Sequence, residues 1–535
     1  MKRNHISGVL ACILMGAPLW ANAGSTQVGG ETSRTPAQPA PTWKLAAFPA
    51  RDNTRIGYRE VHVRRLLQVQ QRNAAPGIKA VQVGIGRQLS SEGIDRTTPP
   101  LRWLPVQGGG SVARLRVQSP DALALRVGIR TRGLHPAVEL RFGGSDHPDR
   151  VVAAITAAEA RSTTGSDGIF WSPATDGATQ IIEVYRPAHV PAAHARVQTA
   201  EVSHLLANSA NNFKIIEKLG ESASCNIDAV CRVATLGAAY VEAKNAVAHM
   251  LFNAYNTNGT LYGSLICTGT LLNDTTPGTQ VPWFYTADHC FRGGSNGVPV
   301  QDRSKVAASL TTYWGYENSS CGALNGSKNT PVIGGADIMF YDPNTDAMLL
   351  RLKNPAPAGT MFAGWDASML APNAEVIAIH HPSGDAKKYS RGQHVADSYA
   401  EQFTVGWLEG TTEGGSSGSG LFTRHADNSY RLRGGLYGGS ASCLNTGSLS
   451  TATNRDHYSR LDLVFPQIKQ WIAADPVREN SSQPLVRSAG ATAGATAQTQ
   501  EGARIATMPG TPAVSPARPA GPRRTEPLRR TQRER

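Results

Sequence analysis

Beyond its first 23 residues, this chain of 535 residues lacks any apolar run long enough to cross a membrane as a helix. That absence argues against a protein embedded by several helices. Lys2 and Arg3 open the chain, an apolar run follows from residue 8 to residue 20, and Ala-Asn-Ala ends at residue 23. The pattern predicts a signal peptide over residues 1–23, export of the chain, and no membrane attachment after its removal.

Cysteine is scarce and unevenly placed. Of seven cysteines, Cys12 lies in the predicted signal peptide and the other six fall between residues 225 and 443. No C-x-x-C pair is present, which argues against a zinc site. An even set of six in an exported chain predicts disulfides, although about fifteen connectivities are possible. We expect no metal and no other cofactor.

Acidic residues are few at both ends of the chain but not in its middle. Residues 1–219 hold 26 Lys and Arg against 15 Asp and Glu, and residues 476–535 hold 10 against 4. Residues 220–475 hold 17 against 21. The basic charge therefore lies outside the cysteine-bearing segment, and we expect no nucleic-acid partner.

Turn residues and short β-branched runs divide the chain into five segments. Residues 24–42, rich in Gly, Ser, Thr, Pro and Ala, are expected to be flexible, and residues 43–200 to form a mostly β domain. Residues 201–219 are expected to be a helical connector. The 220–475 segment is long enough for two small β-barrels, closed by a helix over 462–474. Residues 476–535 have the composition of a disordered tail. The predicted fold class is all-β.

Three motifs in this middle segment carry residues suited to nucleophilic catalysis. Thr-Ala-Asp-His-Cys ends at residue 290, Thr-Asp-Ala-Met-Leu-Leu begins at 345, and Gly-Gly-Ser-Ser-Gly-Ser-Gly spans 414–420. A serine hydroxyl needs a histidine to take its proton and a carboxylate to orient that histidine. His289, Asp346 and Ser417 supply these groups, and the order His, Asp, Ser is that of chymotrypsin-like enzymes.

Each of the three candidates has rivals nearby. Asp346 is preferred to Asp337 and Asp342 because it opens an apolar run that can bury the carboxylate. Ser417 is preferred to Ser416 and Ser419, and the glycines around it let two backbone N–H groups face one point. We assign this oxyanion hole to the N–H groups of Gly415 and Ser417.

With these motifs in place, the chain resembles the lysyl endopeptidases, bacterial secreted serine proteases of chymotrypsin-like fold, over most of residues 220–475. The matching stretches include Ser-Cys-Asn-Ile-Asp-Ala-Val-Cys at 224–231, Cys-Thr-Gly-Thr-Leu at 267–271, Ala-Gly-Trp-Asp at 363–366, Ile-Ala-Ile-His-His-Pro at 377–382, Thr-Glu-Gly-Gly-Ser-Ser-Gly-Ser at 412–419, Gly-Gly-Ser-Ala-Ser-Cys at 438–443 and Asn-Arg-Asp-His-Tyr at 454–458.

The resemblance implies a precursor, secreted through the bacterial periplasm to the outside, in which residues 24–219 are a propeptide that assists folding, inhibits the enzyme and is then removed. It implies a monomer that acts on polypeptides with a basic residue before the cleaved bond. The implied disulfides are Cys225–Cys443, Cys231–Cys321 and Cys267–Cys290. Lys218 precedes the region where the mature chain would start, so we predict self-cleavage close to residues 218–220.

The resemblance also implies which residues recognise the basic side chain of the substrate. Asp456 would sit at the base of the specificity pocket, with Glu413 as a weaker candidate for the same charge. Tyr437 and Gly438 would line the pocket edge. Because related enzymes carry His where this chain has Tyr437, we expect cleavage after Lys and also after Arg.

Two further features bear on this interpretation. Ser416 stands where trypsin has an Asp that pairs with the new N-terminus, so activation should depend on propeptide release. The pair His380-His381 has no acidic or cysteine partner at ligand spacing, and we predict a structural role for it.

Two other functions remain possible from the sequence. Gly-Gly-Ser-Ser-Gly at 414–418 also fits the G-x-S-x-G of an esterase elbow centred on Ser416, with Asp427 or Asp456 and His457 as partners. The second possibility is an inactive, protease-like binding protein.

Overall fold

The computed structural model describes residues 25–74, 80–88, 99–210, 220–294, 297–328 and 330–473. The predicted signal peptide, the region of predicted cleavage up to residue 219 and the predicted disordered tail lie outside these ranges. Over the described ranges, no helix has both the length and the apolar character that a membrane span requires.

Two short strands near the start precede an N-terminal domain that ends at residue 205. In chain order the elements are β1 (Gln27–Val28), β2 (Glu31–Thr32), β3 (Thr54–Gly57), α1 (Val63–Asn73), β4 (Val81–Gln82), β5 (Gly84–Gln88), β6 (Leu104–Pro105), β7 (Ser111–Gln118), β8 (Ala124–Arg130), β9 (Glu139–Gly144), β10 (Ala153–Thr156), α2 (Ala157–Ser162), β11 (Ile169–Trp171), β12 (Thr175–Asp176), β13 (Thr179–Arg186) and β14 (Gln198–Leu205). Single 3₁₀ turns lie at Ala50–Asp52 and Ala192–Ala195.

The N-terminal domain is a sandwich of two sheets. One has the order β10-β9-β13-β7-β3 with β6 paired to β7, and the other has the order β11-β8-β14-β5 with β12 paired to β8. Alternate side chains of the two sheets meet in one apolar cluster, for example Leu115 of β7, Val127 of β8 and Phe142 of β9. The prediction of a mostly β N-terminal domain is confirmed.

Two boundary predictions were wrong. Residues 24–42 were expected to be flexible, yet β1 and β2 within them pair with strands more than 300 residues away in sequence. The expected helical connector begins as strand, because β14 continues through residue 205. Its pairing with β5 and β8 buries Val202, so tertiary packing rather than local preference decides the conformation there.

The protease-like segment begins near residue 220. Its elements are β15 (Ile227–Asp228), α3 (Val233–Asn245), β16 (Val247–Tyr255), β17 (Leu261–Leu272), β18 (Trp283–Ala287), α4 (Asp288–Arg292), α5 (Arg303–Ala308), β19 (Thr311–Trp314), β20 (Thr330–Val332), β21 (Ala336–Asp342), β22 (Ala347–Leu352), β23 (Met361–Phe362), β24 (Gly364–Asp366), β25 (Glu375–His380), β26 (Lys388–Tyr399), β27 (Gln402–Glu409), β28 (Gly420–Arg424), β29 (Tyr430–Gly439), β30 (Asp456–Ser459) and α6 (Leu461–Ile472). Two 3₁₀ turns lie at Ala229–Arg232 and Pro382–Gly384.

These strands form two antiparallel barrels. The first has the order β20-β19-β16-β17-β18-β22-β21, and the Gly335 N–H, just before β21, donates to Leu310 O, just before β19, at 3.1 Å. The second has the order β29-β28-β25-β26-β27-β30 and closes by pairing β29 with β30. The predicted closing helix is α6, whose Val464 and Ile468 pack against the core between the barrels.

Three disulfides fasten this segment: Cys225–Cys443, Cys231–Cys321 and Cys267–Cys290. They are the pairings that the family resemblance implied. The third joins β17 to α4, so it fixes the residue beside His289 to a central strand of the first barrel.

The N-terminal domain docks on the same central strand. Val81 and Gln82 of β4 pair with Ile266 and Leu265 of β17. Apolar side chains from both domains share one cluster around this added strand, including Val83, Ile85, Leu205, Leu251, Ile266 and Tyr313. The docked domain thus lies against the strand whose Cys267 is bonded to Cys290.

Candidate active site

His289 and Asp346 are brought together by the pairing of β18 with β22. Ala287 at the end of β18 pairs with Ala347 at the start of β22, so the residues just beyond each partner face each other. His289 Nδ1 lies 2.6 Å from Asp346 Oδ2, and the His289 backbone N–H donates to Asp346 Oδ1 at 2.8 Å. Asp346 is 1% exposed. A buried carboxylate on Nδ1 favours the tautomer that leaves Nε2 free to accept a proton.

The two rival aspartates are engaged elsewhere. Asp342 accepts hydrogen bonds from the Asn344 N–H and from Thr345, as expected for a turn. Asp337 forms an ion pair with Arg351, and its side chain is 42% exposed. Neither contacts His289.

The loop that carries Ser417 packs on the strands that carry His289. Thr268 of β17 donates its N–H to Ser417 O at 2.8 Å and its hydroxyl to Gly415 O at 2.9 Å. Gly418 has a φ of +80°, and a Cβ there would lie 2.2 Å from Thr286 Oγ1 and 2.9 Å from Ala287 N. Only glycine allows this approach, which sets Ser417 beside the segment leading into His289.

The hydroxyl of Ser417 is not hydrogen bonded to His289. Within the described part of the chain it has no hydrogen-bond partner, and His289 Nε2 faces Cys290 Sγ at 3.8 Å. Hydrogen bonds between catalytic groups are often long in the absence of substrate and shorten when it binds. In this structure His289 therefore contacts Asp346 directly. Ser417 is held beside this pair by a hydrogen bond to its backbone oxygen and not by one to its hydroxyl.

Backbone N–H groups in the serine loop divide into two sets. Those of Ser416, Gly418 and Ser419 donate to Glu413 O, Leu436 O and Ser416 O at 2.8–3.0 Å. Those of Gly415 and Ser417 find no acceptor among the described residues. Two neighbouring free donors are what an oxyanion hole requires.

Ser416 has a structural environment. Its hydroxyl lies 2.8 Å from His380 Nδ1 and accepts from the Glu413 N–H at 3.2 Å. His380 Nε2 lies 3.1 Å from Ser390 Oγ, and that hydroxyl donates to Thr411 O at 2.8 Å. Burial, with a contribution from the Lys388 charge, lowers the pKa of His380 to about 3. A neutral ring between two hydroxyls holds the serine loop to β25 and β26.

His381 is also buried, and it stacks on Tyr316 with ring centroids 5.4 Å apart. Its Nδ1 lies 3.0 Å from Asp385 O, and burial keeps its pKa well below the ordinary range.

In the described ranges, one cluster combines three potential metal ligands, Cys267, His289 and Cys290. Its two sulfurs are already joined in a disulfide, so they cannot bind a metal as thiolates.

Asp456 opens β30 and pairs with Val405 of β27. Trp407 Nε1 and Thr412 Oγ1 each donate to Asp456 Oδ2 at 2.7 Å, and the residue is 1% exposed. Trp407 and Thr412 were not singled out from the sequence, because a buried tryptophan or threonine in a strand or loop looks the same whether it packs a core or orients a carboxylate.

Tyr437 lies at a bulge in β29, where the register with β30 shifts between Leu436 and Gly438. Its ring meets the His289 ring edge-on, with centroids 5.9 Å apart and an interplanar angle of 90°. Gly438 has a φ of +130° and pairs with His457. Bulges of this kind redirect one side chain, and here the redirected ring faces the histidine.

Glu413 does not share the environment of Asp456. Its carboxylate accepts from the Ala223 N–H at 2.9 Å, from Asn226 Nδ2 at 2.6 Å and from Ser383 Oγ at 2.7 Å. These contacts turn it toward the start of the protease segment, so it is a poor candidate for the specificity charge.

Residues of both domains line one small cavity. A small cavity is lined by Arg72 of α1 and Ala80 on one side and by His289 and Cys290 on the other. Arg72 donates from Nη2 to Ala80 O at 3.1 Å, and Asn73 is bonded to Gln82 of the docked strand β4. The docked domain and His289 thus contribute to the lining of the same small cavity.

Two antiparallel barrels, with a histidine–aspartate pair and a glycine-lined serine loop between them, define a serine endopeptidase of the trypsin-like class. Comparison with known proteins agrees. A family model described as lysyl endopeptidase, C-terminal domain, matches residues 219–459, and one described as lysyl endopeptidase N-terminal domain matches residues 58–206. The chain belongs to the lysyl endopeptidase family.

A curated relative supports the same assignment over almost its whole length. A lysyl endopeptidase of Pseudomonas aeruginosa is 34% identical over 495 residues, which cover 88% of this chain and 99% of the relative.

Solved structures similar to part of this chain include the Rv3671c protease of M. tuberculosis in its active form. It is 15% identical, covers 46% of this chain and 88% of its own, and has a TM-score of 0.28. The HtrA-type protease AlgW with a tripeptide is 15% identical, covers 44% of this chain and 62% of its own, and also has a TM-score of 0.28. TM-scores this low do not support an assignment of the fold. That assignment rests instead on the sheet topology and on membership of the family.

Proposed function

We propose that this protein is a secreted endopeptidase that cleaves after basic residues through His289, Asp346 and Ser417. The observation that carries the proposal is the buried His289–Asp346 pair, 2.6 Å apart, next to a serine loop held on the same barrel. In the proposed reaction Ser417 Oγ attacks the scissile carbonyl carbon while His289 Nε2 takes its proton. Asp346 keeps the imidazole in the required tautomer and stabilises the imidazolium that forms.

The N–H groups of Gly415 and Ser417 would receive the negative oxygen of the tetrahedral intermediate. Each such donor contributes about 3 to 4 kcal/mol to transition-state stabilisation. The intermediate then collapses, the C–N bond breaks, and His289 gives its proton to the departing amine. Water, activated by the same histidine, hydrolyses the acyl-serine ester and restores the free hydroxyl.

Basic specificity is assigned to Asp456. A lysine or arginine side chain entering the pocket loses water, and a carboxylate at its base offsets that loss. The Trp407 and Thr412 donors orient the carboxylate without neutralising it. Tyr437 would bound the pocket near His289, with Gly438 offering backbone to the substrate chain as an added strand. We expect cleavage after Lys and after Arg, with Lys favoured, because an ammonium needs less width than a planar guanidinium.

The N-terminal domain is proposed to act as a propeptide that aids folding and then inhibits. Its β4 extends the first barrel, and its α1 shares a cavity with His289. Cleavage near residues 218–220, in an exported precursor, would begin its release.

The esterase alternative fits the described residues less well. An esterase elbow places its serine between a strand and a helix, whereas the loop here leads into the strand β28. Ser416 is bonded to His380, Asp427 pairs with Arg431 on the surface, and Asp456 is engaged by Trp407.

A peptide assay tests the proposal. Purified enzyme is given fluorogenic peptides that differ only in the residue before the cleaved bond (Lys, Arg or Leu), with and without a serine-directed covalent inhibitor. We expect hydrolysis of the Lys and Arg peptides, loss of activity with inhibitor, and a covalent adduct that mass spectrometry maps to Ser417. An adduct on Ser416, or no hydrolysis by the matured enzyme, would contradict it.

A further inference from the structure

The first described residues form an extended arm, residues 25–34, that lies on the protease domain rather than on the N-terminal domain. Gln27 and Val28 of β1 pair with Asp366 and Trp365 of β24. Glu31 and Thr32 of β2 pair with Phe362 and Met361 of β23.

Further hydrogen bonds extend this pairing along the backbone of the arm. The Ala367 N–H donates to Thr26 O at 2.9 Å, the Ser33 N–H donates to Thr360 O at 2.8 Å, and Asn273 Nδ2 donates to Gly29 O at 2.9 Å. The arm is thus an added strand on the edge formed by β23 and β24.

Side chains hold the same segment at both ends. Arg431 donates to the Gln27 side chain. Glu31 accepts from Gln280 Nε2 at 2.9 Å, and Gln280 Oε1 accepts from the Arg34 N–H at 2.7 Å. None of these partners belongs to the candidate active site.

The protease domain carries a glycine that fits the arm. A Cβ on Gly364 would lie 2.6 Å from Val28 O, 2.8 Å from Gly29 C and 2.9 Å from Gly30 N, and these are its three nearest neighbours. Gly364 is not in the positive-φ region, so a side chain there would be tolerated by its own backbone. A substitution at Gly364 therefore disturbs the arm first.

A proline-containing link joins the arm to the body of the N-terminal domain. Pro36, Pro39 and Pro41 lie between the arm and Trp43, which packs on Val151 and Ile181 of the sandwich. The family's N-terminal model begins only at residue 58, so the arm lies outside the segment by which that domain is recognised. The N-terminal domain thus contacts the protease domain at two separate places, through β4 and through the arm.

We propose that the edge formed by residues 360–367 is a strand-addition site for residues 25–34, and that this arm keeps the N-terminal domain bound after the chain has been cut between the domains. The inference rests on the proposed role of the N-terminal domain as a propeptide. Two linked contacts bind more tightly than either alone, by about 10²- to 10⁴-fold, because the second contact forms within the complex. Loss of the arm should therefore speed release of the propeptide and shorten the inhibited period.

The test uses the full chain with Ser417→Ala, an affinity tag at the C-terminal end, and a recognition sequence for an unrelated site-specific protease inserted after Lys218. Cutting at the inserted sequence needs none of the chain's own activity, so the result does not depend on the proposed function. The dissociation rate of the N-terminal fragment from the immobilised protease fragment is then measured. We expect Gly364→Ala to raise that rate about 100-fold.

Two matched variants complete the test. Gly29→Ala in the arm should leave the dissociation rate unchanged, since a Cβ there meets nothing within 4 Å. Deletion of residues 25–34 should raise the rate as much as Gly364→Ala, and the two changes together should do no more. An unchanged rate after the deletion would overturn the proposal. So would a further rise when Gly364→Ala is added to the deleted chain, because the glycine would then act on the protease domain itself.

Discussion

Replacing Asp456 by Asn should remove the preference for basic residues and leave the rest of the enzyme intact. The carboxylate accepts both of its described side-chain hydrogen bonds, from Trp407 and from Thr412, through Oδ2. An amide oxygen in the same position accepts the same two bonds. The variant changes the charge but hardly the volume, so we expect the fold and the serine loop to persist.

The expected fall in kcat/KM follows from the counter-charge that the bound substrate's basic side chain would lack in the variant. Asp456 is 1% exposed, so in the Asp456→Asn variant a lysine ammonium beside the neutral amide would be buried without a counter-charge. Removing one partner of a buried ion pair costs about 3 to 5 kcal/mol. At about 1.4 kcal/mol for each factor of ten, kcat/KM for Lys and Arg peptides should fall by roughly 10²-fold to 4 × 10³-fold.

The assay compares matched peptides with Lys, Arg or Leu before the cleaved bond, and counts active sites with a serine-directed inhibitor. Glu413→Gln is the matched control, because this other acidic residue near the serine contacts Ala223 and Ser383 instead. Any fall in kcat/KM that Glu413→Gln causes should be equal for all three peptides. The reasoning is refuted if Asp456→Asn cleaves basic peptides as well as before, or if Glu413→Gln alone abolishes the preference for them.

Three other predictions use the same molecule. Ser417→Ala should abolish turnover, by about 10⁶ in kcat. Ser416→Ala should keep most activity and lose about 1 to 3 kcal/mol of stability, because it leaves Nδ1 of the buried His380 without its partner; kinetics and thermal unfolding measure both. N-terminal sequencing of secreted enzyme should place its start close to Lys218, and a start upstream of Trp43 would mean that the N-terminal domain is retained. Burial lowers the pKa of His380 to about 3, so the stability its neutral form contributes is complete above about pH 6.5 and is lost as the pH falls toward 3; the drop in Tm from pH 7 to pH 4 should be smaller in His380→Gln.

The motifs and the strand pattern were predictable because both are local in sequence. Alternating apolar residues mark β7 and β13 of the sandwich, and three short motifs mark the positions of His289, Asp346 and Ser417. The family resemblance added the three disulfide pairings, which composition alone left open.

The arm shows what the sequence could not predict. Residues 25–34 contain no run of apolar residues, and their glycines and nearby prolines are typical of a flexible segment. Their order comes from an edge strand and a glycine at position 364, more than 300 residues away. Ser416 and His380 are a second case, since two ordinary polar residues become a fixed pair only when β25 lies beside the serine loop.

The contacts of Ser416 and Glu413 bear on how activation can occur. In this chain the residue before the candidate nucleophile is Ser416, which holds His380, and the nearby carboxylate of Glu413 already binds residues 223 and 226. Ser383 also donates its N–H to Gly414 O at 2.7 Å. The serine loop is thus held in place while the N-terminal domain is still attached, without an ion pair to a new chain end. In the proposed propeptide role of the N-terminal domain, activation requires that β4 leave β17, and the proposed contact of the arm with β23 and β24 would slow that step.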